Sequence, residues 1–239
     1  MTQDPYRDRH NTVDPYVNPG SDVLKNRPGF RDAKALAAFE KDCVAMRELS
    51  LPKSTSLTPD SYRAVHKHLF QDVYAWAGDY RSVTLFKANV RFCHADYIDK
   101  EMNKRFEKIA RDPRLLPQAK DRAAFTNAVG EHICELNSIH PFREGNGRAM
   151  RAFIGQLAHR AGYQFNDRKL DRRAWLNASA IGHIQADYKP MQAVIESGLS
   201  ERQLDKTKQQ QSSARQEKLK KFSRSLRQNR KKQDQGLGD

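Results

Sequence analysis

The segment 138–151 constrains the fold most, because it places a polar, glycine-containing turn between two stretches of helical apolar spacing. Upstream, residues 123–138 carry apolar side chains three and four positions apart, and residues 148–162 repeat this spacing downstream. Gly145 and Gly147 flank Asn146, so the backbone there is expected to take conformations closed to other residues. This turn would direct unpaired N–H groups of the second helix toward a ligand. The sequence therefore predicts two helices joined by a polar loop, with an anion site where the second helix begins.

The side chains of this segment are those that a phosphoryl or nucleotidyl transfer site needs. Arg148 and Arg151 are three residues apart, so they project from one face of the first turn, where two cations favour a bound anion. Glu144 is a hard oxygen ligand of the kind that Mg²⁺ shares with phosphate oxygens. His140 can be neutral at pH 7 and accept a proton from an incoming hydroxyl. A glycine turn alone is often only a turn, but this combination indicates catalysis.

The same segment resembles the signature of the Fic family, His-x-Phe-x-(Asp/Glu)-Gly-Asn-(Gly/Lys)-Arg-x-x-Arg, without a gap. Residues 65–81 resemble the helix before the Fic active-site flap, and residues 92–98 resemble the end of that flap. The opening residues 14–26 resemble short bacterial Fic proteins, so the resemblance covers about residues 14–198. The eight specified positions of the signature are occupied by His140, Phe142, Glu144, Gly145, Asn146, Gly147, Arg148 and Arg151.

The resemblance implies a mainly α fold, a Fic-type helical bundle with a small β-hairpin flap over the active site. It also implies transfer of AMP from ATP to a Tyr, Thr or Ser hydroxyl of a target protein, with release of pyrophosphate. By position, His140 would be the base, Phe142 would anchor the loop in the core and Glu144 would hold Mg²⁺.

The remaining signature residues would bind the nucleotide. Asn146, with the amides of Gly145 and Gly147, would form the anion hole for the α-phosphate. Arg148 would bind the β-phosphate and Arg151 the γ-phosphate. Glycine at 147 departs from the family branch that has lysine there and phosphorylates its target, which favours AMP transfer. A Fic enzyme that transfers another phosphate-containing group stays an alternative.

Two short β-prone runs around Asn89 predict a hairpin at about residues 80–93, which corresponds to the flap. Its open edge could pair with an extended segment of the target, as sheet edges do in other recognition systems. Phe86 and Lys87 are the residues expected to dock the target. An ordinary solvent-exposed connector is the alternative for this segment.

Regulation is predicted from a missing motif. Many Fic proteins carry a helix with (Ser/Thr)-x-x-x-Glu-(Gly/Asn), whose glutamate pairs with the second signature arginine. Here only Glu144 is followed by Gly or Asn, and the residue four before it is His140. The resemblance then implies a separate small antitoxin that places a glutamate on Arg151. A toxin of this branch would act on proteins resembling the DNA gyrase and topoisomerase IV subunits, and a secreted effector on host proteins such as GTPases.

Helical spacing elsewhere predicts a bundle of further helices, and Thr58 with Pro59 predicts an additional helix start. Three cysteines form neither a paired framework nor a metal-binding spacing, which suits a reducing compartment. No apolar run is long enough to span a bilayer, and the first residues lack a signal-peptide pattern. We therefore expect a bacterial cytoplasmic protein, with export by a dedicated secretion system as the alternative. The helices are predicted over residues 32–49, 95–110, 123–138, 172–180 and 191–197.

The net charge of +14 is unevenly placed, since the last 39 residues carry half of it. In residues 201–239, 12 Lys and Arg stand against 5 Asp and Glu, and few large apolar residues are present. Such a composition favours a flexible segment, so residues 1–13 and 199–239 are expected to lie outside the fold. Binding of nucleic acid or another anionic surface by this basic tail is the alternative function, since the charge permits it. A translocation signal or the start of a further domain is the other interpretation of this segment.

Overall fold

The computed structural model describes residues 14–52, 56–87, 90–117 and 121–200. Within them the chain forms seven α-helices and two antiparallel two-stranded sheets. The prediction of a mainly α fold with a small hairpin is therefore confirmed. The residues 1–13 and 201–239, for which flexibility was predicted, lie outside the described residues. The elements are α1 (Ala33–Leu49), α2 (Pro59–Phe70), β1 (Phe86–Lys87), β2 (Val90–Arg91), α3 (Ile98–Arg111), α4 (Arg122–Ile139), α5 (Asn146–Arg160), β3 (Gln164–Phe165), α6 (Arg172–Gln185), α7 (Lys189–Gly198) and β4 (Leu199–Ser200).

The helices begin where short polar side chains can bind free backbone N–H groups. Asp32 accepts a hydrogen bond from Ala35 N at 2.8 Å at the start of α1. Helix α2 starts at Pro59 with Thr58 as its N-cap, as the sequence predicts, and Ser61 completes a reciprocal capping box with Thr58. Helix α6 runs to Gln185, five residues past its predicted end, and α3 is preceded by a short 3₁₀ turn at Ala95–Tyr97.

Helix α4 is the central element and packs against α3, α5, α6 and α7. Its predicted apolar face is fully buried at Phe125, Val129 and Ile133, and burial of each such side chain contributes roughly 1.5–3 kcal/mol. A Cβ atom at Gly182 of α6 would lie 2.4 Å from Cys134 Sγ. Close contact between α4 and α6 thus depends on a glycine, and it fixes the end of α4 that carries His140.

Helix α1 lies beside α2 and completes one side of the bundle. Arg47 of α1 forms a bidentate pair with Asp72 just after α2, with N–O distances of 2.6 and 2.7 Å. Val44 packs with Leu69 and Phe70 in a second apolar cluster. This packing turns Glu40 of α1 toward the start of α5.

The sheet formed by β3 and β4 is absent from the sequence-based prediction. Phe165 pairs with Leu199, and Gln164 with Ser200. The folded unit therefore extends two residues past the predicted boundary at residue 198, and the pairing ties the end of α7 to the segment after α5. No helix in the described ranges has both the length and the apolar character needed to cross a membrane.

Candidate active site

His140 lies directly after α4, in a strained backbone conformation. Its φ of 49° and ψ of 61° are left-handed, which is uncommon for a residue with a side chain. The imidazole Nδ1 lies 3.3 Å from the carbonyl oxygen of Asn137. Because a carbonyl only accepts hydrogen bonds, Nδ1 carries the proton and Nε2 carries the lone pair.

The surroundings of His140 keep its ring neutral. Burial, the nearby guanidinium of Arg81 and the ammonium of Lys87 lower the pKa of His140 to about 3. The ring stacks on Phe92, with 4.0 Å between the ring centroids. At pH 7 the imidazole is therefore uncharged and oriented, as a proton acceptor must be.

Phe142 and His66 hold the loop that follows His140. Phe142 is fully buried and stacks on His66, with ring centroids 3.8 Å apart. His66 Nδ1 accepts a hydrogen bond from Gly78 N at 2.9 Å, so its Nε2–H donates to the Glu144 carbonyl oxygen, also at 2.9 Å. Burial lowers the pKa of His66 to about 3, which keeps this ring neutral. The histidine thus connects α2 to the signature loop.

The two signature glycines have different surroundings. Gly145 has a φ of 82°, and a Cβ there would lie 2.4 Å from Phe70 Cζ. Gly147 lies inside α5, and the nearest atom to an added Cβ would be Arg151 Nη1, at 3.6 Å. The expectation that both glycines free the backbone therefore applies to Gly145 alone, because the helix already begins at Asn146.

The Asn146 side chain closes the loop on itself. Its Oδ1 accepts a hydrogen bond from Phe142 N at 3.0 Å, and its Nδ2 donates to Phe142 O at 2.7 Å. With both side-chain ends engaged, an anion would be bound by the backbone N–H groups of the first turn of α5 rather than by the amide side chain.

Glu144 and Arg148 form a charged cluster with Glu40, a residue outside the signature. Arg148 Nη1 lies 2.6 Å from Glu40 Oε1, and Arg148 Nη2 lies 3.3 Å from Glu144 Oε1. Tyr74 OH donates to the other oxygen of Glu40. Burial and the charge of Glu40 raise the pKa of Glu144. The cluster holds the Arg148 guanidinium in one place at the start of α5.

Arg151 contacts a different set of residues from Arg148. Its Nε lies 3.6 Å from Asp167 Oδ2, and its guanidinium lies 5.6 Å from the centroid of Trp175. Burial lowers the pKa of Arg151, although a guanidinium remains charged at pH 7. Arg151 also lines a cavity of about 1030 Å³ together with Glu48, Gln156 and Asp167.

The described residues offer a carboxylate for Mg²⁺ but no complete protein cage. They contain no group of three or more His, Cys, Asp or Glu side chains that could hold a metal ion. Among them, both hydrogen bonds to the Glu144 carboxylate, from Gly145 N and Arg148, fall on Oε1, so Oε2 can face a cation. Mg²⁺ usually takes one or two carboxylates plus phosphate oxygens and water, so a single Glu144 beside a phosphate site fits this ion.

The flap forms at the predicted position. Phe86 pairs with Arg91 and Lys87 with Val90, while the turn residues 88–89 lie outside the described ranges. Lys87 is close enough to His140 to affect its pKa. Phe86 is half-buried and Lys87 is exposed, so this strand near His140 also reaches the protein surface.

Sequence reasoning missed three polar residues that support the site. Glu40 binds Arg148 as described above, and Arg81 contacts the carbonyl oxygen of His140. Arg143 is buried inside the signature and pairs with Asp14 at 2.8 Å. Their partners are distant in sequence, so spacing within the signature gives no sign of them.

The sequence of this chain is similar to those of known proteins. A family model described as "Fic/DOC family" matches residues 56–158. The probable protein adenylyltransferase y4lH of Sinorhizobium fredii is 37% identical over 188 residues, which cover 78% of this chain and 97% of the relative. The probable protein adenylyltransferase Fic of Escherichia coli K12 is 33% identical, with 79% of this chain and 93% of that protein covered. The chain belongs to the Fic/DOC family.

A solved structure supports the fold. The BepC protein of Bartonella tribocorum, a VirB-translocated effector with bound AMPPNP, superposes with a TM-score of 0.71 at 20% identity. The alignment covers 79% of this chain and 97% of that chain. The predictions of family, of a Fic-type helical fold and of the protein adenylyltransferase class are therefore confirmed.

Proposed function

We propose that this Fic-family chain transfers AMP from ATP to a hydroxyl side chain of a target protein, with His140 as the base. The observation that carries the proposal is the His140 ring, whose Nδ1 proton faces the Asn137 carbonyl and whose Nε2 carries the lone pair. The family match and the names of the relatives support the same reaction.

In this reaction the target oxygen bonds to the α-phosphorus while the bond from that phosphorus to the pyrophosphate oxygen breaks. His140 Nε2 takes the hydroxyl proton, and pyrophosphate leaves. The N–H groups at the start of α5 bind the α-phosphate, while Arg148 and Arg151 bind the β- and γ-phosphates. These groups need little rearrangement because α5 fixes them together.

Glu144 would hold Mg²⁺ through the carboxylate oxygen that is not bound to Gly145 N and Arg148. When bound, the ion supplies charge neutralisation to the phosphate oxygens. The chain itself orients this carboxylate, because His66 holds the Glu144 carbonyl and the Gly145 amide holds one carboxylate oxygen.

The test is label transfer from α-³²P-ATP with Mg²⁺ to proteins of a bacterial lysate. We expect labelling by the wild type and loss of at least 10²-fold in His140→Ala. His159→Ala, an exposed histidine at the far end of α5, is the matched control and should label normally. Labelling that survives in His140→Ala would refute the proposal. Absence of labelling, with salt-sensitive DNA binding lost on truncation at residue 200, would favour the nucleic-acid alternative.

The flap would present the target hydroxyl to His140. An extended target segment that pairs along the β1 edge would pass Phe86 and Lys87, on the solvent side of the base. Targets resembling the DNA gyrase and topoisomerase IV subunits correspond to a toxin acting in the bacterial cytoplasm. Host proteins correspond to an effector exported into another cell. Mass spectrometry of the labelled protein distinguishes the two.

A small antitoxin that places a glutamate on Arg151 would silence the enzyme. The cavity of about 1030 Å³ beside Arg151 supports this, because a partner helix there could reach the guanidinium without displacing α5. A carboxylate on Arg151 would occupy the site of the γ-phosphate and misalign ATP. Co-expression with the neighbouring small open reading frame should suppress toxicity of the wild type, and Arg151→Ala should escape binding. An inhibitor that binds this variant equally well would contradict the idea.

A further inference from the structure

Arg81 is a buried cation between the flap and the catalytic turn. Its side chain is bound to four carbonyl oxygens from different parts of the chain. Its Nε donates to His140 O at 2.8 Å, and its Nη2 donates to Cys93 O at 2.6 Å and to Ile139 O at 3.2 Å. Its Nη1 donates to Val83 O. The Arg81 backbone N–H also donates to Pro141 O at 2.9 Å.

These acceptors fall into two groups. Ile139 and His140 belong to the turn that places the base, whereas Val83 precedes β1 and Cys93 follows β2. One guanidinium therefore holds both ends of the flap against the turn. A planar fork with five N–H donors can serve acceptors at these angles, whereas an ammonium on a flexible stem cannot.

The turn needs such support. A left-handed residue other than glycine is strained and persists only where its surroundings fix it. At His140 the backbone carbonyl that follows the strained φ and ψ is the one that accepts from Arg81 Nε. The Arg81 guanidinium thus binds the backbone carbonyl of His140. The orientation of this peptide group determines the direction of the imidazole.

The partners of Arg81 differ from those of a structural ion pair. Within the described ranges, no ion pair joins Arg81 to a carboxylate, although its relative exposure is only 2%. Buried arginines are usually paired. Arg105 is the contrasting case, since it is buried beside Glu135 and His132, away from the signature loop.

We propose that Arg81 is a positioning residue for AMP transfer, because its guanidinium fixes the His140 turn to both ends of the flap. The base and the docked target hydroxyl are then held in a fixed position relative to each other. This inference depends on the proposed function. Arg81 contacts the backbone of His140, the base, and it contacts none of the residues assigned to the phosphates.

A separate electrostatic effect gives a second readout. Besides burial, Arg81, Lys87 of β1 and His183 of α6 lower the pKa of His140, and the hydrogen bond with the Asn137 carbonyl raises it. The positive charge of Arg81 lowers the pKa of His140. Removing that charge should raise this pKa, and the acidic limb of the rate profile should move to higher pH.

The test compares Arg81→Lys with Arg81→Gln in the full chain. Initial rates of label transfer from α-³²P-ATP to the lysate protein that the wild type labels are measured against ATP concentration and pH. Each variant is assayed below its own melting temperature. Both should lower kcat by about tenfold to hundredfold, because a misplaced base is costly, while KM for ATP changes less than about threefold. Only Arg81→Gln should shift the acidic limb.

The matched controls are Arg105→Lys and Arg105→Gln, which alter another buried arginine. They should lower the melting temperature but leave kcat and the acidic limb unchanged. The inference is overturned if folded Arg81→Lys keeps wild-type kcat, if KM for ATP alone changes, or if the Arg105 variants lose kcat equally. Nitrogen-15 NMR of the histidines gives a readout without turnover: Arg81→Lys should lose the preference of His140 for the Nδ1–H tautomer. Loss of labelling in His140→Ala, with wild-type rates in Arg81→Lys, would refute this inference but not the proposed function.

Discussion

Arg148 and Arg151 leave the same first turn of α5 but enter different surroundings. Their side chains are similarly exposed, at 23% and 28%, so exposure does not separate them. Arg148 contacts two carboxylates, Glu40 and Glu144, and lies 4.7 Å from the Phe70 centroid. Arg151 has one carboxylate contact among the described residues, to Asp167 at 3.6 Å.

The difference is one of preorganisation. Although burial opposes its charge, Glu40 and Glu144 raise the pKa of Arg148. For Arg151, burial outweighs the nearby carboxylates and lowers the pKa. Arg148 is therefore held before a phosphate arrives, whereas Arg151 faces the cavity with a longer ion pair that an incoming anion can replace. A fixed arginine suits an obligatory substrate contact, and an exchangeable one suits a contact shared by substrate and inhibitor.

The largest expected effect separates Arg148→Ala from Arg151→Ala. We expect Arg148→Ala to lower kcat/KM for ATP by about 10²–10³-fold, because a preorganised charge is lost at the proposed site of the β-phosphate, which leaves as part of pyrophosphate. It should also destabilise the fold by about 3–5 kcal/mol, since Glu40 is left buried without its cation. Arg151→Ala should lower kcat/KM by about tenfold and stability by less than about 1 kcal/mol. ATP-dependent labelling and thermal unfolding measure both quantities.

The control for this comparison is Arg160→Ala, at the opposite end of α5, which should leave the ATP dependence unchanged. Equal losses of kcat/KM and of stability in Arg148→Ala and Arg151→Ala would show that the two arginines are equivalent. The contrast between a fixed and an exchangeable cation would then be wrong.

The signature could be interpreted from the sequence because its parts are local. A helix stop, a glycine turn and two arginines three apart lie within a dozen residues, so spacing alone predicts the anion site. The same reasoning assigned equal conformational roles to Gly145 and Gly147. The requirement for glycine at 145 comes from Phe70, which is 75 positions earlier, and no local pattern contains that contact.

The supporting residues were unpredictable for a related reason. Glu40 reads as an ordinary charged position of α1, and only the packing of α1 beside α2 brings it to Arg148. Arg81 donates to backbone carbonyl oxygens. Because every residue has such an oxygen, the residue types of its partners give no sign of these contacts. The sheet between β3 and β4 has only two residues per strand, too short for an alternating pattern.

A smaller effect is expected from Glu40→Gln, which tests whether the carboxylate contacts of Arg148 are what fix it. Glutamine keeps the shape and can still accept a hydrogen bond from Tyr74 OH, but it loses the ion pair with Arg148. We expect KM for ATP to rise by about three- to tenfold with kcat nearly unchanged, because ordering of one guanidinium is then left to ATP binding. Initial labelling rates over a range of ATP concentrations measure the change.

Tyr74→Phe is the matched control, since it removes the hydroxyl that binds Glu40 and leaves the ion pair to Arg148 in place. Its effect on KM should be smaller than that of Glu40→Gln.

The sign of the Glu40→Gln effect decides between two roles of α1. A rise in KM means that Glu40 holds Arg148 ready for phosphate. A fall in KM would mean that Glu40 competes with phosphate for Arg148. In that case the more exchangeable of the two cations would be Arg148, opposite to the contrast drawn from their contacts. Glu40 lies outside residues 56–158, the part of the chain that the family model matches, so this test also asks whether a helix beyond that match takes part in nucleotide binding.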